Sequence, residues 1–378
     1  MQYRTFGKLN WRPSALGFGA MRLPVVDGDR GKIDKQEATN MIRYAIDNGV
    51  NYVDTAYPYH KGECEPFLGK ALQDGYREKV KLATKLPTWL IEAPEDFDKY
   101  LNEQLERLQT PHIDFYLLHA LNKKRWKKMQ KYRILKQAEK AVADGRIQYL
   151  GFSFHDEYEV FKKIVDAYDW TFCQIQYNYM DEMYQAGTKG LKYAAQKGLA
   201  VVVMEPIRGG QLSRNPPELI ENIWNTASYK RSPAEWALQW VWDHPEVSVV
   251  LSGMSTMKQV KENVFSAKRS GSNTLRGEDL RLISRVRDRY RELCPVPCTQ
   301  CKYCMPCPNG VNIPRILEIY NEKTMYNDEE AARRSYQFLK EEQRADNCID
   351  CGECEEKCPQ SIDIRDWLKK VHDIFGEG

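Results

Sequence analysis

The sequence predicts a (β/α)8 barrel followed by a small α-helical domain that carries clustered cysteines. Three observations lead there. Eight short apolar, β-branched runs alternate with amphipathic stretches between residues 14 and 268. The runs are apolar nearly throughout, as expected of strands buried on both faces of a parallel sheet. Nine of the eleven cysteines lie beyond residue 293. A chain of 378 residues has room for one large domain and one small one. The boundary is placed near 292, giving a barrel over 1–292 and a cysteine domain over 293–378.

The strand candidates, in order, are ALGFG (15–19), VNYVDT (50–55), VKLATK (80–85), IDFYLLH (113–119), IQYLGFS (147–153), FCQIQYN (172–178), AVVVMEP (200–206) and VSVVLSG (247–253). Helical patterns lie between them. KQEATNMIRYAIDNG puts Met41, Ile42, Ala45 and Ile46 on one face, and PEDFDKYLNEQLERL does the same with Phe97, Leu101, Leu105 and Leu108. Gly49, Gly145 and Gly198 each stop a helix just before the next strand. An open doubly wound sheet is the competing architecture, but no strand is followed by G-x-G-x-x-G. The opening QYRTFGKLNWRPS reads as a hairpin closing the bottom of the barrel. LNKKRWKKMQ (121–130) reads as a basic loop on the active-site side; such a run is ordinarily a solvated face, and the alternative is that it steers an acidic substrate or an electron-transfer partner. The stretch 214–245 carries at least one extra helix, SPAEWALQWVWDHP.

Composition narrows the function classes. A net charge of +3 gives no reason to expect nucleic acid. No run of 18 apolar residues is present, so no membrane span is expected. The N-terminal MQYRTFGKLN lacks the apolar core of a signal peptide, and a cytoplasmic protein is expected. In a reducing compartment, clustered cysteines bind metal more readily than they pair.

The active site of such a barrel lies at the C-terminal ends of its strands. Asp54 ends the second strand, with Tyr59 five positions on; Lys85 ends the third and His119 the fourth. Singly, each reads as well as a rim salt bridge, a buried tyrosine or a satisfied histidine. Together they make a coherent proton-transfer site. Lys85 in a dry pocket needs a counter-ion, which Asp54 supplies. A cation beside Tyr59 favours phenolate, so the expectation is a tyrosine below its ordinary value of about 10. Such a tyrosine can protonate a carbonyl oxygen that His119 orients. Trp89, Tyr57 and His60 are candidates to line the pocket.

The cysteines form two runs. The first is Cys298, Cys301, Cys304 and Cys307, followed by Pro308; the second is Cys348, Cys351, Cys354 and Cys358, followed by Pro359. The second matches the bacterial ferredoxin run C-x2-C-x2-C-x3-C-P, and the first is one residue short before its fourth cysteine. Zinc is the alternative. Two such runs, each closed by Cys-Pro, favour two 4Fe-4S clusters. In two-cluster ferredoxins the fourth cysteine of each run serves the other cluster. That assigns Cys298, Cys301, Cys304 and Cys358 to one, and Cys348, Cys351, Cys354 and Cys307 to the other. The spacer reads as two helices, IPRILEIYNEK and DEEAARRSYQFLKEEQR. The domain is therefore a small α-helical ferredoxin-like one. Cys64, Cys173 and Cys294 are left as structural residues.

The motifs NYVDTAYPYHKGECE, LATKLP, FYLLHAL, GFSFHD and QIQYN resemble those of the aldo-keto reductase superfamily, over roughly residues 3–265. With the cysteine domain, the chain resembles the subgroup that carries a C-terminal 4Fe-4S domain. The resemblance implies a nicotinamide cofactor, NADP(H) or NAD, lying across the barrel mouth, and a small carbonyl substrate. It implies Asp54, Tyr59, Lys85 and His119 as the catalytic tetrad. Ser153 and Gln174 would hold the carboxamide, with Gly19, Ala20 and Met21 at the nicotinamide end. The loop Ile207, Arg208, Gly209 and Gln211 would cover the pyrophosphate. Gly253, Ser255, Gln259, Glu262 and Asn263 would meet the adenosine phosphate at a helix N-terminus. Three positions depart from the family's usual residues. Phe154 replaces asparagine, Met204 replaces the stacking tyrosine, and Gln259 replaces the arginine that reads a 2′-phosphate.

Electron number divides the functional readings. A nicotinamide passes two electrons as hydride and a 4Fe-4S cluster passes one. The first reading is a carbonyl reductase with Tyr59 as general acid. The second is an electron-transfer enzyme whose clusters wire a barrel-bound redox group to a ferredoxin-type partner. The third is a nicotinamide-sensing binding protein.

Overall fold

The computed structural model describes residues 1–298, 303–358 and 360–376. All eight apolar runs form strands: β1 (Leu16–Gly19), β2 (Tyr52–Asp54), β3 (Lys81–Leu86), β4 (Ile113–Leu121), β5 (Ile147–Phe154), β6 (Phe172–Gln176), β7 (Ala200–Met204) and β8 (Val247–Gly253). They close in chain order into a barrel, and every pairing is parallel. Register sets the level of the rim. Gly19 stands opposite Asp54 on one side and Gly253 on the other. Ser153 stands opposite Gln174, and Gln176 opposite Met204.

The described residues divide into two compact units, one of Met1–Gly210 with Ala234–Arg276, the other of Gln211–Pro233 with Gly277–Gly378. Composition alone drew the boundary near 292; compactness draws it at 276 and adds a segment from inside the barrel's chain.

Helices of the first unit follow the expected spacing. Asp34 caps Lys35–Asp47 by accepting from the Glu37 amide, and Met41, Ile42, Ala45 and Ile46 are buried. In Asp96–Leu108 the buried face is Phe97, Tyr100, Leu101, Gln104 and Leu108, with Leu105 only half-buried. The basic run is not a loop. Lys123–Lys131 is a helix, capped by Asn122 and held down by Trp126 and Met129 three positions apart. The 214–245 stretch holds two helices, Glu218–Trp224, which falls in the second unit, and Pro233–Trp242.

The N-terminal hairpin forms through antiparallel bridges Tyr3–Ser14 and Phe6–Leu9. It plugs the barrel. Phe6 is fully buried with Tyr52, Phe115, Phe172 and Val202, and its ring centroid lies 4.7 Å from that of Phe115. Gly7 turns the hairpin with φ +54, and a Cβ there would meet the Ala200 nitrogen at 2.7 Å. Only glycine allows that turn to press against β7.

In the second unit, helices Ile313–Tyr326, Glu329–Gln337 and Ile364–Phe375 surround a core of Val296, Ile316, Tyr320, Tyr336, Leu368 and Phe375. Cys298, Cys304, Cys307, Cys348 and Cys358 pack against that core. Both spacer helices form, the second ending at Gln337 rather than continuing to 344. No described helix is long and apolar enough to cross a membrane.

Truncating the plug tests this packing. Phe6→Ala should destabilise the protein by roughly 3–5 kcal/mol, as for other buried aromatics. Urea denaturation of the intact protein should show the lower midpoint; an unchanged midpoint contradicts the plug.

Candidate functional site

Strand ends bring the four candidate catalytic side chains together. Lys85, from β3, reaches across the rim to Asp54 of β2, and its Nζ donates to Oδ1 at 2.7 Å. The same ammonium donates to the Thr55 carbonyl at 2.6 Å and to the Tyr59 hydroxyl at 3.4 Å. Asp54 is 2 % and Lys85 1 % exposed. Tyr59 and His119 are only partly buried; their ring centroids lie 6.3 Å apart in an edge-on arrangement. The sequence did not single out Thr55. Its backbone oxygen follows Asp54 directly and gives the ammonium a second fixed acceptor.

Electrostatics follow from burial. Burial raises the Asp54 carboxyl, and Lys85 opposes it. Burial alone would lower Lys85, but Asp54 and Tyr59 outweigh it and the ammonium is held above its ordinary range. An ammonium held there needs an anion beside it, so we take the pair as ionised. Burial pushes His119 well below 6.5, with Lys85, His155 and Arg125 adding repulsion. His119 is therefore a neutral hydrogen-bonding group near neutral pH. Tyr59 corrects the expectation: burial raises it above 10.0, and the opposing pull of Lys85 is too weak to reverse that. The site holds a protonated phenol in reserve rather than a phenolate.

Of the pocket candidates, only Trp89 is placed against the tetrad, 5.2 Å from the His119 ring. Tyr57 turns to Glu103, donating at 3.2 Å. His60 bonds the Arg30 carbonyl at 2.9 Å through Nδ1.

Of the implied cofactor residues, Ser153 and Gln174 are neighbours across β5 and β6. The Ser153 hydroxyl accepts from the Ala120 amide at 2.7 Å, leaving its own proton to donate. Gln174 Oε1 is buried without a partner. A carboxamide offers the N–H that this acceptor lacks and the oxygen that Ser153 can reach, so the residues present fit the group. Gly19 ends β1, Ala20 is buried and Met21 exposed. Met204 ends β7 and is half-buried. Ile207 precedes a turn in which Arg208, Gly209 and Gly210 all take positive φ. Arg208 Nε donates to Asp181 at 3.0 Å, so this guanidinium is anchored by a carboxylate. Gln211 opens the second unit, its Oε1 buried and unpartnered. At the end of β8, Gln259 Oε1 accepts from the Ser255 amide at 2.7 Å, and Asn263 donates to Ser252 at 3.0 Å. Gly253 ends the strand, and Glu262 pairs with Lys258 at the exposed helix start.

In the second unit a small hollow is lined by Cys304, Cys307, Cys348, Cys351 and Cys354, among other residues. Cys304 and Cys307 thus both come from the first run to the three leading cysteines of the second, whereas cross-ligation asks this of Cys307 alone. These thiols fit a cubane cluster in chemistry and grouping. Cys301 lies outside the described residues, as does Pro359. Among the described residues no three His, Cys, Asp or Glu side chains converge on a point that could hold a single metal ion. The remaining cysteines are structural in their contacts. Cys64 is buried, accepts from Thr55 at 3.2 Å, and burial lifts its thiol to about 12. Cys173 is buried, and Cys294 lies 3.0 Å from the Met325 sulfur.

A closed parallel barrel with Asp, Tyr, Lys and His at successive strand ends defines an oxidoreductase of the aldo/keto reductase class. The chain belongs to that family: residues 15–274 match the model of the Aldo/keto reductase family, and residues 297–362 match that of the 4Fe-4S dicluster domain. The uncharacterised oxidoreductase YrpG of Bacillus subtilis (strain 168) is 26% identical over 330 residues, covering 76% of this chain and 96% of that protein. L-galactose dehydrogenase of Arabidopsis thaliana is 26% identical over 322 residues, covering 78% and 96%. Among solved structures, holo aldo-keto reductase AKR11C1 from Bacillus halodurans superposes with a TM-score of 0.64 at 27% identity, covering 76% of this chain and 96% of that one. Aldo-keto reductase from Klebsiella pneumoniae in complex with NADPH gives 0.60 at 25% identity, covering 76% and 95%.

The direction of the Tyr59 shift is measurable. A raised value keeps the phenol protonated to higher pH. The ultraviolet titration difference between wild type and Tyr59→Phe should show a midpoint above 10.0. A midpoint below it would restore the phenolate picture.

Proposed function

We propose that this protein reduces the aldehyde or ketone of a small molecule with NADPH, Tyr59 acting as general acid. One observation carries the reading: a single buried ammonium, Lys85 Nζ, lies 2.7 Å from Asp54 and 3.4 Å from the Tyr59 hydroxyl. The NADPH-bound Klebsiella pneumoniae relative supports the choice of cofactor. When bound, the nicotinamide supplies hydride to the carbonyl carbon. The chain's own residues handle the oxygen. Tyr59 gives its proton to the developing alkoxide, and the phenolate left behind is stabilised by Lys85. Asp54 and the Thr55 carbonyl fix Lys85 in place. His119, neutral, donates one N–H to the same oxygen and orients it. Ser153 and Gln174 would hold the carboxamide so that one face of the ring meets the carbonyl.

Removing the acid separates this reading from a nicotinamide-sensing role. Tyr59→Phe should lower kcat/KM for aldehyde reduction about 10²- to 10⁴-fold while NADPH binding persists. Full activity in that variant would remove Tyr59 from the chemistry.

We further propose two 4Fe-4S clusters, one held by Cys298, Cys301, Cys304 and Cys358, the other by Cys348, Cys351, Cys354 and Cys307. The second lies at the protein surface, since Cys351 is exposed. That exposure would let a ferredoxin-type partner reach this cluster, as the electron-transfer reading requires. Both cofactors suit a cytoplasmic setting. Under anaerobic preparation, Cys307→Ser should lower bound iron from about eight to about four atoms per chain. Unchanged iron content contradicts the cross-ligated assignment.

A further inference from the structure

The helix Lys123–Lys131 begins Lys-Lys-Arg and has no acidic residue in its first turn. A helix N-terminus carries partial positive charge and favours carboxylates, so three cations there run against local preference. Such conflicts concentrate at functional positions. Lys123 and Lys124 are exposed, but Arg125 is not. Its side chain folds back, with Nη1 donating to the Ala120 carbonyl at 2.8 Å. Its guanidinium carbon lies 5.5 Å from the Trp89 ring centroid, and that ring lies 5.2 Å from the His119 ring. Lys128 ties the same loop down by donating to the Trp89 carbonyl at 3.0 Å.

Arg125 is therefore half-buried, pre-ordered and separated from His119 by the one ring of Trp89. Among the described residues it has no carboxylate partner; burial is the sole influence on its guanidinium, and it lowers the pKa. Of five N–H donors, one is used by Ala120. A partly desolvated cation with open donors is unfavourable unless an anion completes it. A guanidinium fork matches a carboxylate bidentately. One cation balances one carboxylate, whereas a phosphate dianion would call for a second buried cation, and Lys123 and Lys124 point no such charge inward, being exposed.

Resting on the carbonyl-reductase reading above, we propose that Arg125 selects substrates that carry a carboxylate a few carbons from the reacting carbonyl. The guanidinium takes the carboxylate while Tyr59 and His119 take the carbonyl oxygen, with Trp89 as the wall between them.

Two measurements on the intact protein test this. The first compares kcat/KM for succinic semialdehyde with that for its terminal amide, in wild type, Arg125→Lys and Arg125→Met. The acid-to-amide ratio should favour the acid by roughly 10- to 100-fold in wild type, the range for a charge-assisted hydrogen bond. It should collapse in Arg125→Met and recover in part in Arg125→Lys. A ratio unchanged by Arg125→Met overturns the proposal. The second is calorimetric binding of succinate, which needs no hydride transfer. Binding should weaken roughly 10-fold or more in Arg125→Met. Wild type binding succinate no better than succinamide overturns the proposal whatever the turnover. Arg125-dependent succinate binding without turnover of either aldehyde supports the anion site and counts against the reductase reading alone.

Discussion

The site depends on one buried contact, the ion pair between Lys85 and Asp54. Two charges almost without solvent access are expensive to bury, and an apolar pair of similar size would stabilise the barrel as well or better. Stability alone therefore does not explain the pair. What it does is hold an ammonium 3.4 Å from the Tyr59 hydroxyl, where in the proposed reaction a leaving proton would create negative charge. The barrel makes that possible through register. Asp54 and Lys85 sit on adjacent strands, and the parallel ladder holds Asp54 level with Ala83, two residues before Lys85. The Phe6 plug and the aromatic interior below keep that ladder closed from the other end.

Much of this was legible in the sequence for a definite reason. Strands buried on both faces leave continuous apolar runs, and all eight appear as such. Once the runs are placed, the C-terminal end of each is known, and Asp54, Lys85 and His119 fall there without further information. The cysteine spacing was equally direct, because cubane ligation constrains neighbours along the chain. The joining of Cys307 to the second run is an expectation from that motif, and the hollow brings Cys304 and Cys307 together with Cys348, Cys351 and Cys354.

What was not legible depended on burial and on neighbours distant in sequence. The Tyr59 shift was expected downward from one nearby cation, yet desolvation by the surrounding barrel is larger and has the opposite sign. The basic run read as a loop because its charges dominate the composition. Trp126 and Met129, three positions apart, were the available helical signal. That Arg125 turns back onto Trp89, and Arg208 onto Asp181, could not come from spacing alone, since both contacts join segments well separated along the chain.

The most direct test of the central claim separates the pair's charge from its packing. Lys85→Met leaves Asp54 buried and unpaired and should cost roughly 3–5 kcal/mol of stability. Lys85→Met combined with Asp54→Leu should recover most of that stability, since the orphaned charge is gone. If the ion pair exists to serve Tyr59, the recovered double variant still fails to reduce aldehydes. A stable double variant that reduces them at the wild-type rate would contradict the account.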